Sequence, residues 1–360
     1  MQEIHSFLLR EIETSRHAYV REGKAGNDTG ALRGQNTRVL QVFSVTFPFF
    51  ALVLAGFVAI HRRLLPLDAI PGLNGFVLYF ALPCMLYRFG ASSPITQLLD
   101  PTLFLAYLLC ALLMVGFTVA VSLNARIGWD DAAFGALVAA FPNTGFMGVP
   151  LLVALLGDGA AGPAIVTIVV DLVITTSLCV ALSRLDSADE HGAAQAAKNA
   201  LKAVLANPMP WAISLGVLAS ALSFELVGPL AKTVGLLADS ASPVALFTIG
   251  AVLARSQQLT QVSDRASILM RDYLPMACFK LLLHPLLVLL VFSAVMQMGF
   301  AMDRFTMVVV VLVAALPSAS NVALLTERFD ADTARVARII LVTTVAAFFT
   351  FSGAVTLLHA

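Results

Sequence analysis

Charged side chains are scarce in this chain. They make up 12% of its 360 residues, whereas hydrophobic residues make up 59%. This scarcity excludes an ordinary soluble domain, because a surface in contact with water needs a larger share of charged residues. The charges are also balanced, with 22 Lys and Arg against 22 Asp and Glu, so no excess of positive charge indicates a nucleic-acid partner.

Cysteine and the common catalytic motifs are equally sparse. The four cysteines lie in apolar stretches without CxxC spacing, which favours buried free thiols over disulfides or metal ligands. They are Cys84, Cys110, Cys179 and Cys278. Neither an HExxH nor a GxSxG motif occurs, so we expect no catalytic residue, no metal site, no cofactor and no enzyme activity.

What the chain has in abundance is long apolar runs. Each is about twenty residues, the length at which a helix crosses roughly 30 Å of hydrocarbon. The predicted segments, one to ten, are 40–60, 71–90, 102–125, 131–156, 163–183, 208–226, 234–254, 273–298, 305–327 and 335–358. The sequence therefore predicts an all-α, multi-pass membrane protein with ten spans.

Positive charges between the segments give an orientation. The loops after odd-numbered segments and their borders hold Arg62, Arg63, Arg126, Arg184, Lys198, Lys202, Arg255, Arg265, Arg271, Arg328, Arg335 and Arg338. The loops after even-numbered segments hold Arg88, Lys232 and Arg304. Because positively charged loops stay in the cytoplasm, both chain ends are predicted outside, with the protein in the plasma (inner) membrane.

The first 39 residues form a polar tail. Ile4, Phe7, Leu8 and Ile12 recur in it at helical spacing, which fits an amphipathic helix on a membrane surface. An extension without a function fits equally well.

Two patterns recur five segments apart. Pro83, Leu86, Tyr87 and Gly90 are repeated 160 residues later as Pro243, Leu246, Phe247 and Gly250. The sequence FPNTGF at 141–146 and the sequence LPSASN at 316–321 are offset by 175. These offsets predict two five-helix repeats, 40–183 and 208–360, joined by a cytoplasmic linker at 184–207. Because five is odd, the second repeat must be inverted in the membrane.

Segments four and nine contain the polar interruptions. Pro142 and Pro317 each lack an amide hydrogen, so we expect both helices to break there. Unpaired backbone is tolerated at this depth only beside protein or a water-filled cavity. A half-helix after each break would present amide N–H groups and a positive dipole end to an anion. A continuous, kinked helix with small residues for close packing is the alternative.

The motifs around these prolines resemble those of the auxin efflux carrier family. They are ALPCMLY at 81–87, PNTGFMGVPLL at 142–152 and ALPSASNVALL at 315–325. The family includes plant PIN-type auxin exporters and bacterial malonate and malate carriers. The resemblance implies ten helices in two inverted repeats, with broken helices four and nine crossing at Pro142 and Pro317 in a transport domain beside a scaffold domain. The chain lacks the long hydrophilic loop of the plant members, which argues against auxin itself.

The resemblance also assigns roles to residues. Asn143 matches the asparagine that contacts the substrate carboxylate in PIN-type carriers. Together with the neutral polar groups at both breaks, it gives a predicted substrate site of Asn143, Thr144, Gly145, Ser318, Ser320 and Asn321.

Two ionisable residues lie deep inside other segments. Asp171 in segment five is a candidate for a coupling proton or cation, and Lys280 in segment eight is a candidate partner for a carboxylate. A structural ion pair, or extension of the Lys280 stem toward the membrane border, are the alternatives. His284, Asp239 and Arg88 are weaker candidates.

Together these features predict a secondary transporter that moves a small organic anion by alternating access. The expected partners are a mono- or dicarboxylate such as malonate or malate, or an auxin-like acid, the lipid bilayer, and a coupling proton or sodium ion. A homodimer is compatible with the sequence, although no residue specifies it. The alternatives are a cation/proton antiporter with similar crossed helices and a non-transporting membrane sensor.

Overall fold

The computed structural model describes residues 29–92, 100–124, 127–185, 208–262, 270–329 and 331–358. The tail residues 1–28 and most of the predicted linker, 186–207, lie outside the described residues, and so does the predicted amphipathic helix. Contacts divide the chain into two units, Met1–Phe43 and Ser44–Ala360. The account below concerns the second unit.

The described residues are helical, as predicted. We number the helices α1 to α12 in chain order. They are α1 Thr29–His61, α2 Ala69–Ser92, α3 Pro101–Ser122, α4 Trp129–Ala140, α5 Thr144–Leu156, α6 Asp158–Leu182, α7 Pro208–Ala221, α8 Gly228–Val262, α9 Met270–Gln297, α10 Arg304–Ala314, α11 Val322–Arg328 and α12 Thr333–Leu358. Within the same residues, β-type pairing is confined to two isolated bridges, Asn124 with Ile127 and Pro142 with Ser318.

Six of these helices have the length and apolarity of a membrane span. They are α2, α3, α6, the Gly228–Arg255 part of α8, α9 and α12. Shorter apolar helices occur at Thr46–His61, Thr144–Leu156, Pro208–Ala221 and Arg304–Ala314. Predicted segments four and nine are therefore not single helices, since each is divided between two.

The two half-helices that lead into the interruptions are the most enclosed elements. Every residue from Ala132 to Ala140 in α4 is buried, and so is every residue from Val308 to Ala314 in α10. Both sequences are apolar on all sides, which is typical of a helix surrounded by protein. The structure thus encloses both half-helices and places the interruptions at their inner ends.

Two pairs of helices touch at glycines. A Cβ on Gly56 of α1 would collide with the carbonyl oxygen of Phe247 in α8, and one on Gly250 would collide with that of Val53. A Cβ on Gly216 of α7 would lie 2.5 Å from the carbonyl oxygen of Tyr87 in α2. On the α2 side of that crossing, a Cβ on Gly90 would lie 3.2 Å from the carbonyl oxygen of Ile213. Gly56 and Gly216 are 160 residues apart (216 − 56), as are Gly90 and Gly250 (250 − 90), so the two contacts stand at the spacing of the sequence repeat.

One expectation about the cysteines is wrong. Cys110 and Cys179 are buried and Cys84 is half-buried, but Cys278 is exposed. Cys278 directly follows the buried Met276 and Ala277, and an apolar run without a polar face does not reveal which of its residues are exposed. All four thiols are free.

Candidate functional site

Predicted segment four is interrupted at Pro142. Helix α4 ends at Ala140, and α5 begins at Thr144 with a π-helical turn, Thr144–Gly148. Between them Phe141 is extended, with φ −93° and ψ 104°. Proline explains the break, because its ring blocks the hydrogen bond and the backbone geometry that a continuing helix requires.

Predicted segment nine is interrupted in the same way at Pro317. Helix α10 ends at Ala314 and the short helix α11 begins at Val322. Asn321 is the residue before α11, and its side chain makes no capping hydrogen bond.

The two interruptions pair with each other. The Asn143 amide donates to the Pro317 carbonyl oxygen at 2.9 Å, and the Ala319 amide donates to the Phe141 carbonyl oxygen at 3.0 Å. These bonds form the isolated antiparallel bridge between Pro142 and Ser318. Two stretches that are 175 residues apart in sequence thus supply one another with the hydrogen bonds that the breaks remove.

The crossing also uses a hydroxyl from α12. The Ser318 amide donates to Thr343 Oγ1 at 3.3 Å, and the Thr344 and Thr343 hydroxyls both donate to the Ile340 carbonyl oxygen within their own helix. The Thr144 amide donates to the Pro142 carbonyl oxygen at 2.8 Å. The amides nearest the crossing are therefore already hydrogen-bonded, so the expectation that they would be free for an anion does not hold for Asn143, Thr144, Ser318 and Ala319.

Unlike these backbone amides, three side-chain atoms at the crossing have no hydrogen-bond partner. Asn143 Oδ1, Ser318 Oγ and Asn321 Oδ1 are buried atoms that have no hydrogen-bond partner within the protein. Asn143 is 3% exposed and Ser318 is 1% exposed. Since a buried polar atom without a partner costs about 1–3 kcal/mol, three of them around one crossing indicate a place for a polar ligand or water.

The other predicted site residues are close by. Thr144 is buried, and its hydroxyl lies 3.5 Å from the Pro142 carbonyl oxygen, while Ser320 is half-buried. No atom lies within 4 Å of the position that a Cβ on Gly145 would take, so open space borders the crossing there. Gly148 faces Leu316 instead, whose Cδ1 would lie 2.5 Å from an added Cβ.

A second polar cluster lies around Asp171. Its Oδ2 accepts from the Tyr107 hydroxyl at 2.8 Å and its Oδ1 accepts from the Thr175 hydroxyl at 3.2 Å. Asp171 and Tyr107 are fully buried, and Asp171 lies in a π-helical turn, Val170–Thr175, of α6. π-helical turns within α-helices are frequent at functional sites.

Lys280 links this cluster to the crossing. Its Nζ donates to the Ala314 carbonyl oxygen at 2.7 Å and lies 3.0 Å from His284 Nδ1. The centroids of the His284 and Tyr107 rings are 6.5 Å apart, and the Tyr107 hydroxyl donates to Asp171. Ala314 is the last residue of α10, so the ammonium group satisfies a carbonyl that the break leaves without a helical partner. Lys280 is fully buried in this position and does not extend to the membrane border.

Comparisons with known proteins decide the family. A profile described as membrane transport protein matches residues 41–355, most of the chain. The chain belongs to this family of membrane transport proteins. The predicted resemblance to auxin efflux carriers is confirmed, since relatives carry the names of such carriers.

Three relatives of this transport family illustrate its range. A putative malonate transporter of Rhizobium meliloti (strain 1021) is 26% identical over 314 residues, which cover 87% of this chain and 94% of the relative. Auxin efflux carrier component 8 of Arabidopsis thaliana is 22% identical over 285 residues, which cover 64% of this chain and 77% of the relative. The uncharacterized transporter YfdV of Escherichia coli (strain K12) is 28% identical over 204 residues, which cover 56% of this chain and 60% of the relative. This protein is therefore a multi-pass membrane transporter of the auxin efflux and malonate transporter type.

The ionisable residues that were weaker candidates in this transporter, His284, Asp239 and Arg88, lie in different places. His284 is fully buried beside Lys280, whereas Arg88 Nη1 forms an ion pair with Asp239 Oδ1 at 2.6 Å on partly exposed surfaces of α2 and α8. Sequence reasoning missed Tyr107 and Thr343. Their hydroxyl groups in the middle of apolar runs were the available signal, but such residues also occur with purely structural roles.

Proposed function

We propose that this protein is a secondary active transporter that binds a small organic anion at the crossing of its two broken helices. The observation that carries the proposal is the pair of buried atoms, Asn143 Oδ1 and Ser318 Oγ, that have no hydrogen-bond partner on opposite sides of the crossing. The substrate contacts are Asn143, Thr144, Gly145, Ser318, Ser320 and Asn321, and Pro142 and Pro317 form the crossover.

The chemistry of these groups favours an anion over a cation. Residues 141–148 and 316–321 contain no Asp or Glu, so no carboxylate is available at the breaks to neutralise a cation. The hydroxyl of Ser318 is a hydrogen-bond donor, and rotation of the Asn143 and Asn321 amides presents their NH2 groups in place of the oxygens. A carboxylate accepts from such groups, and the bonds are stronger than those between neutral groups.

Among organic anions, malonate is the first to test. The Rhizobium meliloti relative that aligns along 94% of its length is named as a putative malonate transporter. Malate and auxin-like acids follow, the latter because of the more distant plant relative.

The proposed movement is alternating access, in which the broken helices shift against a scaffold of neighbouring helices. Ten spans in two inverted repeats, 40–183 and 208–360, are part of this proposal, as are chain ends outside the plasma membrane. The paired glycine contacts support it, because the α1 and α8 crossing and the α7 and α2 crossing stand at the same 160-residue offset (216 − 56 and 250 − 90) as the motif repeat.

Coupling to a proton or cation is assigned to Asp171 and Lys280. Both are fully buried, and burial of ionisable groups inside a membrane is costly and typical of ion and proton pathways. The contact of Lys280 with the Ala314 carbonyl oxygen gives this cluster a direct link to one half of the crossing. An Asp171→Asn variant should bind malonate but no longer accumulate it under a proton or sodium gradient. Gradient-driven accumulation equal to wild type would exclude Asp171 from coupling.

The test of the transport proposal is uptake and counterflow of labelled malonate in proteoliposomes. Asn143→Ala should lower transport about tenfold or more, since a hydrogen bond to a charged group contributes about 1.5–3 kcal/mol. Ser318→Ala should lower transport while leaving thermal stability equal or higher, because it removes a buried atom that has no partner. Ser214→Ala on α7, whose hydroxyl donates to the Pro210 carbonyl oxygen, is the control.

The outcomes separate the alternatives. Unchanged malonate transport by both crossing variants would remove these residues from the site. Cation/proton exchange without flux of malonate, malate or indole acids would show an antiporter, and malonate binding without any flux would show a sensor.

A further inference from the structure

Arg335 is a buried arginine near the N-terminus of α12, away from the crossing. It lies in the first turn of α12 and is 4% exposed. Its Nε donates to the Asp272 carbonyl oxygen of α9 at 2.7 Å, and its Nη1 donates to the Asp131 carbonyl oxygen of α4 at 3.1 Å. One guanidinium group thus connects the first turns of three helices.

Two carboxylates beside this guanidinium group accept hydrogen bonds from backbone amides. The Arg335 amide donates to Asp332 Oδ1 at 2.9 Å, and the Asp332 amide donates to Asp131 Oδ1 at 2.7 Å. The guanidinium also lies against Gly135, where an added Cβ would be 3.4 Å from both terminal nitrogens. α4 has no side chain at this point, and the arginine fills the space.

Helix stability does not account for a cation at this position. The positive ends of the α4, α9 and α12 dipoles all lie here, and a cation near a helix N-terminus is unfavourable. Burial of the charge adds a further cost, which the hydrogen bonds and the nearby carboxylates of Asp131, Asp332 and Asp272 offset. What arginine supplies is a planar fork whose donors reach two carbonyl groups in a fixed geometry.

Two of the three helices that Arg335 connects, α4 and α12, are also linked to the crossing. Along α12, Arg335 and Thr343 are both buried, roughly two turns or about 12 Å apart, and Thr343 accepts from the Ser318 amide. Gly135 of α4 precedes Asn143 by eight residues, of which the last three lie beyond the end of the helix. α4 and α12 are therefore connected directly by Arg335, and a second time through the bridge between Pro142 and Ser318 together with the Ser318–Thr343 hydrogen bond.

We infer that Arg335 is a positioning residue for the anion site, because it fixes α4 relative to α12 and so holds Asn143 against Ser318. The inference rests on the proposed function for its link to substrate. A shift of one residue between helices moves a side chain by about 1.5 Å along the axis, and a displacement of about 1 Å is enough to weaken a binding site.

Substitutions at two positions perturb the contact. Arg335→Met removes the guanidinium group but keeps a long side chain. Arg335→Lys keeps the positive charge but loses the planar set of guanidinium donors. Gly135→Val displaces the guanidinium from the other side. Gly116→Val on α3 is the matched control, since Gly116 is exposed and no atom lies within 4 Å of an added Cβ.

The first measurement is hydrogen exchange of the purified protein by mass spectrometry. In Arg335→Met and Gly135→Val, amides of residues 141–148 and 316–321 should exchange about tenfold faster or more, with Arg335→Lys intermediate. Residues 86–92, at the α2 and α7 contact, should be unchanged. Equal acceleration in both regions would show a general structural role, and no acceleration at the crossing would show that Arg335 does not position it; either result overturns the inference.

The second measurement is the concentration dependence of malonate uptake. A positioning role raises KM for malonate in Arg335→Met and Gly135→Val more than it lowers the maximal rate per folded carrier. If the two variants kept the wild-type KM for malonate and only the number of folded molecules fell, the positioning role of Arg335 would be contradicted. If wild type does not transport malonate, the proposed substrate fails, while the exchange experiment still decides whether Arg335 holds the crossing.

Discussion

The contact between α1 and α8 allows a sharp test of how the membrane helices pack. Gly250→Ala adds one methyl group that would collide with the Val53 carbonyl oxygen and lie 2.7 Å from the Phe57 nitrogen. Both obstacles are backbone atoms, so no side chain can rotate away, and the two helices must separate. Forcing an extra carbon into a well-packed contact typically costs about 1–3 kcal/mol.

The opposite result is expected at Gly235 in the same helix. No atom lies within 4 Å of an added Cβ there. Alanine is favoured over glycine inside a helix by about 0.5–1 kcal/mol, so Gly235→Ala should be neutral or stabilising. The same gain acts at Gly250, which leaves a net destabilisation of about 1 kcal/mol there from the middle of the two ranges.

Thermal unfolding of the two variants in the same detergent measures the difference. We expect Gly250→Ala to unfold at a lower temperature than wild type and Gly235→Ala at the same or a higher temperature. If the two alanine variants were equally stable, the helices would not approach at Gly250, and the packing described for α1 and α8 would be wrong.

Three further predictions concern other parts of the molecule. Gly216→Ala, in the contact between α7 and α2, should destabilise the protein as Gly250→Ala does, again by thermal unfolding, because the obstacle is backbone. Thr343→Val should lower the unfolding temperature more than Thr344→Val, because only the first leaves the amide at the second break without its acceptor, at a cost of about 1–3 kcal/mol; equal effects would exclude this bond. Asp171→Asn and Lys280→Met should each destabilise, whereas the double variant should be more stable than either single one, because it leaves no lone buried charge; additive losses would show that the two charges do not interact.

The sequence was sufficient to predict the helices and the places where they break. Length and apolarity located the segments, and Pro142 and Pro317 located the breaks, because both signals depend only on neighbouring residues. It did not predict which atoms meet at the crossing. α4 and α10 are apolar on all sides, so their patterns predict burial but no preferred face and no neighbour.

The polar contacts of the second cluster were also beyond sequence reasoning. Asp171 and Lys280 were identified from their depth in apolar segments, but their partners are Tyr107, which lies in another helix, and the carbonyl of Ala314, which has no side-chain signature. Likewise, a prediction based on the prolines treats the amides at the breaks as free. Only the structure shows that the Asn143 and Ala319 amides bond across the two breaks and that the Ser318 amide bonds to Thr343.

The pairing of the breaks explains why unsatisfied side chains can persist at this depth. A broken helix in the membrane needs partners for its exposed amides and carbonyls from side chains, neighbouring helices or water. Here the Asn143 amide donates to the Pro317 carbonyl and the Ala319 amide donates to the Phe141 carbonyl, while the Thr343 hydroxyl and the Lys280 ammonium group satisfy the Ser318 amide and the Ala314 carbonyl. The side chains of Asn143 and Ser318 are thereby released from capping the helices. Polar atoms that are buried, held by rigid backbone and not needed for folding are available for a ligand, and for this reason the crossing is where a transported anion is expected to bind.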